Sequence, residues 1–134
     1  MALARRTSSR NAPRTWPRKF ADSFRGLSRA VRSQSSFAVH LPAAAAVVIA
    51  GAALRVSAGE WCLLVLAIGL VLMAEVFNTA IESLARGPGA RWHPRLRDAL
   101  DMASGGVLLA AITAAVIGLI VLGPKVLGIV GIAS

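Results

Sequence analysis

Two long runs of the sequence contain no charged side chain, and they restrict this chain to a membrane protein. Residues 33–54 and 102–124 are free of Asp, Glu, Lys and Arg over 22 and 23 positions. About 20 apolar residues in a helix, at about 1.5 Å per residue, cross the roughly 30 Å hydrocarbon core of a bilayer. The hydrophobic fraction of 56% also exceeds that of an ordinary soluble domain. Each run therefore predicts a transmembrane helix.

The apolar segment between these two runs is too short to cross a membrane by itself. Residues 61–74 provide only 14 uncharged positions before Glu75, whereas a crossing needs about 20. We therefore predict that the helix continues through Glu75 until Gly and Pro break it at residues 87–89. The predicted fold is all-α and integral to the membrane, with three transmembrane helices at about 37–56, 60–85 and 99–123.

The N-terminal part of the chain is basic and differs from the spans. Residues 1–16 show no periodic apolar face and are predicted to be a disordered basic arm. Residues 17–34 repeat an apolar side chain at spacings of four, three and four, which predicts an amphipathic surface helix in the membrane interface. The repeated residues are Phe20, Phe24, Leu27 and Val31. A basic arm also suits nucleic acid, but the apolar remainder favours the membrane, with no nucleic-acid partner.

The distribution of Lys and Arg predicts the orientation of the chain. The arm and surface helix carry nine and the loop after the second span carries four, so that 13 lie on one side. Only Arg55 and Lys125 lie on the other side. Because cytoplasmic flanks are enriched in Lys and Arg, we expect the N-terminus in the cytoplasm. Residues 17–124 are predicted to form one membrane domain, followed by a short tail at 125–134.

Four polar residues form a stripe on the middle helix. Glu75, Asn78, Thr79 and Glu82 stand at offsets of zero, three, four and seven, which place them on one helix face. A carboxylate in hydrocarbon is costly unless it is paired, hydrated or protonated. The stripe therefore predicts a site that faces the bundle interior and holds a divalent metal or acts as a base. A structural network of acids and arginines is the alternative.

A second polar cluster opens the third span. Asp98, Asp101 and Ser104 share one face by three-residue steps, although Asp at a helix start also serves as a cap and Ser104 suits close helix packing. Both clusters are expected at the cytoplasmic surface, near the arginines of the 86–97 loop. Carboxylates and arginines there favour a phosphate donor with magnesium. The sequence has no Gly-x-x-x-x-Gly-Lys loop, which excludes a P-loop nucleotide site.

These motifs resemble a known family. The stretch at residues 74–82, Ala-Glu-Val-Phe-Asn-Thr-Ala-Ile-Glu, looks like the signature of the small bacterial diacylglycerol kinases and undecaprenol kinases. His93-Pro94 followed by residues 99–107 is similar to a second family stretch. The resemblance covers roughly residues 17–123. It implies a homotrimer in the bacterial cytoplasmic membrane, with active sites shared between neighbouring chains and MgATP as the donor.

The resemblance also implies roles for single residues. Glu75 corresponds to the general base near the lipid hydroxyl, and Glu82 and Gln34 correspond to magnesium ligands. The residues expected to bind ATP or substrate are Asn78, Asp101, Arg97, Arg25 and Ser104.

The sequence departs from the family pattern at two positions. Gln34 stands where the family usually has Glu, and Leu100 stands where it usually has Lys. The first change weakens one metal contact and the second removes a phosphate contact, for which Arg97 is a candidate substitute.

The predicted function is transfer of phosphate from ATP to a membrane lipid alcohol. Diacylglycerol and undecaprenol both remain open as acceptors. The departures at Gln34 and Leu100 motivate an alternative, a catalytically impaired membrane scaffold. A small proton-coupled transporter with Glu75 as carrier is a further alternative, which the position of the stripe disfavours, because carriers usually place their acid at mid-membrane.

Overall fold

A computed structural model describes residues 15–89 and 92–131, and all regular structure in these two ranges is α-helical. The helices are α1 (Trp16–Ser33), α2 (Phe37–Ala53), α3 (Ala58–Ala85) and α4 (Pro94–Val130). The prediction of an all-α protein with an amphipathic N-terminal helix and apolar spanning helices is confirmed. Residues 1–14 of the predicted disordered arm lie outside the described residues, as do the last three residues of the predicted tail.

Length and composition allow two or three membrane crossings. Helices α3 and α4, of 28 and 37 residues, are each apolar and long enough to span a bilayer. Helices α1 and α2 meet at a bend of 104° and together form the third candidate. Helix α2 alone has 17 residues, or about 26 Å at the usual rise, which is the lower limit for a crossing.

Local sequence signals set the ends of the longer helices. Ser57 and Glu60 form a capping box at the start of α3, in which the backbone N–H of Ser57 donates to Glu60 Oε2 at 2.6 Å. His93 caps α4 by accepting the backbone N–H of Arg95 at 3.2 Å. Helix α4 continues through Pro124 to Val130 and ends at Gly131, whose φ of 73° suits a left-handed C-terminal residue. The first residues assigned to the tail are therefore helical.

Helix α3 is the central element of the bundle because α1, α2 and α4 all pack against it. Val56, Leu64 and Val121 form a small buried core, with Trp61 against it. Gly51 of α2 lies so close that an added Cβ would stand 3.0 Å from the Trp61 ring, so a larger residue there would require that ring to shift. Many large apolar side chains of α3 and α4 remain exposed in the single chain, as expected for surfaces that meet lipid or another subunit.

An apolar cavity of about 900 Å³ lies between α2, α3 and α4. Small side chains line much of it, including Ala43 and Ala44 of α2 and Ala114 and Gly118 of α4. His40 of α2 is the single polar side chain among the described residues that line it. The cavity therefore presents hydrocarbon surface along its length and one hydrogen-bonding group.

Candidate active site

The polar stripe of α3 faces the interior of the bundle. The Glu75 side chain is only 3% exposed, and Asn78 and Thr79 are likewise buried. Glu82, about two turns beyond Glu75 and closer to the end of α3, is partly exposed. The helical period places these side chains on one face, and the packing of α1 and α2 against α3 turns that face inward.

Glu82 accepts hydrogen bonds from three side chains. Asn78 Nδ2 donates to Glu82 Oε1 at 3.0 Å, and Arg86 Nη2 donates to Glu82 Oε2 at 2.9 Å. Both partners stand four residues away on α3, the spacing at which helical side chains meet. Gln34 Nε2, at the end of α1, also donates to Glu82 Oε2. Glu82 therefore ties the bend between α1 and α2 to α3.

Glu75 contacts a residue whose role sequence reasoning missed. His40 Nε2 of α2 lies 3.0 Å from Glu75 Oε1, and the His40 side chain is 21% exposed. His40 lies in the first predicted span, and no role in the site was predicted for it. A signal was present, because a titratable side chain inside an apolar span is a candidate for function by default.

Three buried oxygens of the stripe have no hydrogen-bond partner. They are Glu75 Oε2, Asn78 Oδ1 and Thr79 Oγ1. A buried polar atom left without a partner costs about 1–3 kcal/mol, and in a native protein a missing ligand or ion is one explanation for it. The three oxygens belong to one face of α3, so this face has free acceptors for a cation or a hydroxyl group.

The donor set suits magnesium that arrives with a nucleotide. Among the residues that the structure describes, no group of three or more His, Cys, Asp or Glu side chains could hold a metal, so these ranges contain no all-carboxylate cage. Magnesium is usually held by one or two carboxylates together with substrate phosphates. Glu82, the unpartnered Asn78 Oδ1 and the amide oxygen of Gln34 are oxygen ligands of the required hardness. The residues therefore fit the ion.

The cluster on α4 stands apart from the stripe. The Arg97 and Asp101 side chains are 70% and 74% exposed, and Arg97 Nε lies 3.9 Å from Asp101 Oδ2. Neither side chain has a hydrogen bond or ion pair with Glu75 or Glu82 within the described ranges. The Ser104 hydroxyl donates to the Asp101 carbonyl at 3.0 Å. A single chain therefore does not unite the two predicted clusters.

The polar face of α1 forms a basic groove of about 390 Å³. Arg25, Ser28, Arg29, Arg32 and Ser33 line it. Arg25 pairs with Asp22 on the exposed surface. Three guanidinium groups and two hydroxyls in one groove suit an anion such as phosphate. Arg25 is one of the residues expected to bind ATP or substrate.

Comparison with known proteins places these features in context. The family described as prokaryotic diacylglycerol kinase matches residues 21–122. The chain is 34% identical over 116 residues to the undecaprenol kinase of Bacillus subtilis (strain 168), which covers 87% of this chain and 94% of that protein. It is 35% identical over 111 residues to the diacylglycerol kinase of Synechocystis sp. (strain ATCC 27184 / PCC 6803 / Kazusa), over 82% of this chain and 63% of that protein.

A third relative is the diacylglycerol kinase of Escherichia coli (strain K12). The chain is 32% identical to it over 94 residues, which are 70% of this chain and 77% of that protein. No solved structure matches the chain significantly. The matches confirm the resemblance that the residues of the stripe and of the α4 cluster indicated.

Proposed function

Because this chain belongs to the prokaryotic diacylglycerol kinase family and is a membrane lipid kinase, we propose that Glu75 is the base for phosphoryl transfer from ATP to a lipid alcohol. The observation that carries the proposal is the burial of this carboxyl with Oε1 held by His40 and Oε2 unpartnered. A general base must stand within hydrogen-bond reach of the proton that it removes. Glu75 Oε2 is free for that contact.

The reaction needs only a small number of groups. The acceptor hydroxyl gives its proton to Glu75 Oε2 while its oxygen bonds to the γ-phosphorus, and the bond from that phosphorus to the β,γ-bridging oxygen breaks to release ADP. Such transfers depend mainly on positioning and charge stabilisation. Glu82, Asn78 and Gln34 would hold magnesium, which when bound neutralises charge on the phosphates. The arginines of the α1 groove bind the donor's phosphates.

We propose a homotrimer in which a neighbouring chain completes each site. Asp101 and Arg97 are exposed on α4 and contact only each other among the charged groups described, so donor binding by these residues requires a second copy. Symmetric assembly repeats one interface around the ring. The excess of Lys and Arg beside the arm and the 86–97 loop supports a cytoplasmic N-terminus in the bacterial inner membrane, on the side where ATP is present.

Both lipid alcohols named by the relatives are candidate acceptors. The undecaprenol kinase matches over 94% of its length, whereas the two diacylglycerol kinases match over 63% and 77% of theirs. Undecaprenol carries one long chain and a primary hydroxyl, and diacylglycerol carries two chains and a primary hydroxyl. The proposed chemistry at Glu75 is the same for both.

Phosphate transfer in mixed micelles tests the function. The full-length protein is supplied with magnesium, ATP labelled at the γ-phosphate and either undecaprenol or diacylglycerol. We expect label in the extracted lipid with at least one acceptor and none when the acceptor is omitted. If the folded protein transfers no label to either lipid, the scaffold alternative replaces the kinase.

Mixed oligomers test whether two chains share a site. Glu75→Gln and Asp101→Asn proteins are each expected to be strongly impaired, but trimers that contain both variants should show about one third of the wild-type rate, because one site in three then combines an intact Glu75 with an intact Asp101 from its neighbour. Purification through two different tags isolates the mixed oligomers. No recovery in mixed oligomers would show that each chain supplies both residues itself.

A further inference from the structure

The contact between His40 and Glu75 joins two helices at the most buried acid of the molecule. His40 Nε2 stands 3.0 Å from Glu75 Oε1, and the carboxyl is 3% exposed. The two atoms are within hydrogen-bonding distance of each other. Glu75 Oε1 is therefore engaged and its carboxyl plane is oriented by α2, while Oε2 stays without a partner.

Several other polar groups at this end of the bundle have partners other than Glu75. On α3, Glu82 is bound by Asn78 and Arg86, and from α1 the neutral Gln34 also faces Glu82. On α4, Arg97 and Asp101 pair with each other on an exposed face. Among the hydrogen bonds and ion pairs of the described residues, His40 is thus the only group that contacts the Glu75 carboxyl.

The surroundings of His40 give the imidazole no alternative polar contact on its cavity side. The other described residues that line the cavity of about 900 Å³ are Ala, Val, Leu, Ile and Gly. An imidazole in apolar surroundings keeps a strong preference for its one polar neighbour, because breaking that hydrogen bond would leave two unsatisfied groups. The contact is therefore well suited to hold Glu75 in one rotamer.

We propose that His40 is a positioning residue for lipid phosphorylation: it holds Glu75 Oε1 so that Oε2 is presented to the acceptor hydroxyl. This inference rests on the proposed function of Glu75. The His40 N–H donates to the Glu75 carboxylate and keeps this base oriented before the acceptor arrives. A buried base that rotates freely spends little time in the productive geometry. The effect acts on turnover, because His40 has no contact with the basic groove of α1 that is assigned to ATP.

Substitutions at His40 separate this role from simple packing. In the micelle assay, His40→Leu is expected to lower kcat by about 100-fold with the KM for ATP unchanged within threefold. Because the amide nitrogen of Gln reaches as far as histidine Nε2 and also donates, His40→Gln should retain kcat within about tenfold of wild type. The shorter His40→Asn should lose as much as His40→Leu. Val47→Ala, two turns along α2 in the same cavity, is the control and should leave kcat unchanged.

Each outcome assigns a cause. If the wild-type protein transfers no phosphate, the proposed function fails and the role of His40 falls with it. If the wild type is active and His40→Leu keeps its turnover, only the role of His40 is refuted. Equal losses in His40→Gln and His40→Asn also refute it, because reach and donation then do not matter. Should His40→Leu not yield folded oligomer, the comparison of the Gln and Asn variants, both polar, decides.

Discussion

Replacing Glu75 with Gln is expected to lower the turnover for lipid phosphorylation by about 10²–10⁴-fold, or about 3–5 kcal/mol in the activation barrier. The amide keeps the size of the side chain but cannot accept the proton of the acceptor hydroxyl at neutral pH. The KM for ATP should change little, because the carboxyl is buried beside His40 and away from the basic groove of α1. The measurement is the initial rate of label transfer from ATP to lipid.

A matched control exists on the same helix. Glu60 lies in the first turn of α3, where it caps the helix and pairs with Lys125 Nζ at 3.2 Å. Glu60→Gln changes one acid of α3 in the same way but at the opposite end of the helix, so its turnover should match wild type. If both substitutions reduce turnover equally, the loss at Glu75 reflects a general effect on α3, and its assignment as the base is wrong.

Replacing Glu82 with Ala is expected to have the second largest effect. The substitution removes the acceptor of three donors and leaves the buried amide of Asn78 unpaired. We expect kcat/KM for ATP to fall by at least about 100-fold and the magnesium concentration for half-maximal rate to rise. The free energy of unfolding should also fall, because hydrogen bonds to a charged group contribute about 1.5–3 kcal/mol each. Magnesium titration of the rate and thermal unfolding measure the two effects.

Two further variants separate charge from packing at this position. Glu82→Gln keeps the shape but only one of the two acceptor oxygens, so it should lose less stability than Glu82→Ala while it loses the magnesium response. Arg86→Met removes only an exposed partner of Glu82, and since exposed ion pairs contribute about 0–1 kcal/mol, both readouts should stay near wild type. An unchanged magnesium response in Glu82→Ala would remove this residue from the proposed ligand set.

The α1–α2 junction shows why the contact between Gln34 and Glu82 could not be predicted from sequence patterns. The apolar spacing of α1 predicted an amphipathic helix, and the helix ends within one residue of the predicted boundary. The pattern contains no information on the 104° bend that follows. That bend places Gln34 against Glu82, 48 positions further along the chain, a contact that only the packed structure reveals. The expected roles of Gln34 and Glu82 in holding magnesium remain proposals.

The α4 cluster shows the same restriction: its pattern predicts a helix but not the contacts of that helix. Its three-residue spacing predicted that Asp98, Asp101 and Ser104 share one helix face, and all three are exposed on α4, but a helix period does not tell which neighbour that face meets. In a single chain Asp101 is exposed and paired with Arg97. A site that combines Asp101 with the stripe of α3 therefore depends on the proposed homotrimer.

The sequence by itself determined the class of the protein and the acidic face of α3. Hydropathy and the 3.6-residue period of the α-helix are properties of a single helix. The uncharged runs and the stripe from Glu75 to Glu82 can therefore be recognised in the sequence alone. Only the tertiary structure decided that His40 meets Glu75, that Gln34 meets Glu82 and that Asp101 is exposed beside Arg97. Contacts between helices depend on bends, crossing angles and the fit of small residues such as Gly51, and those are properties of packing between distant segments.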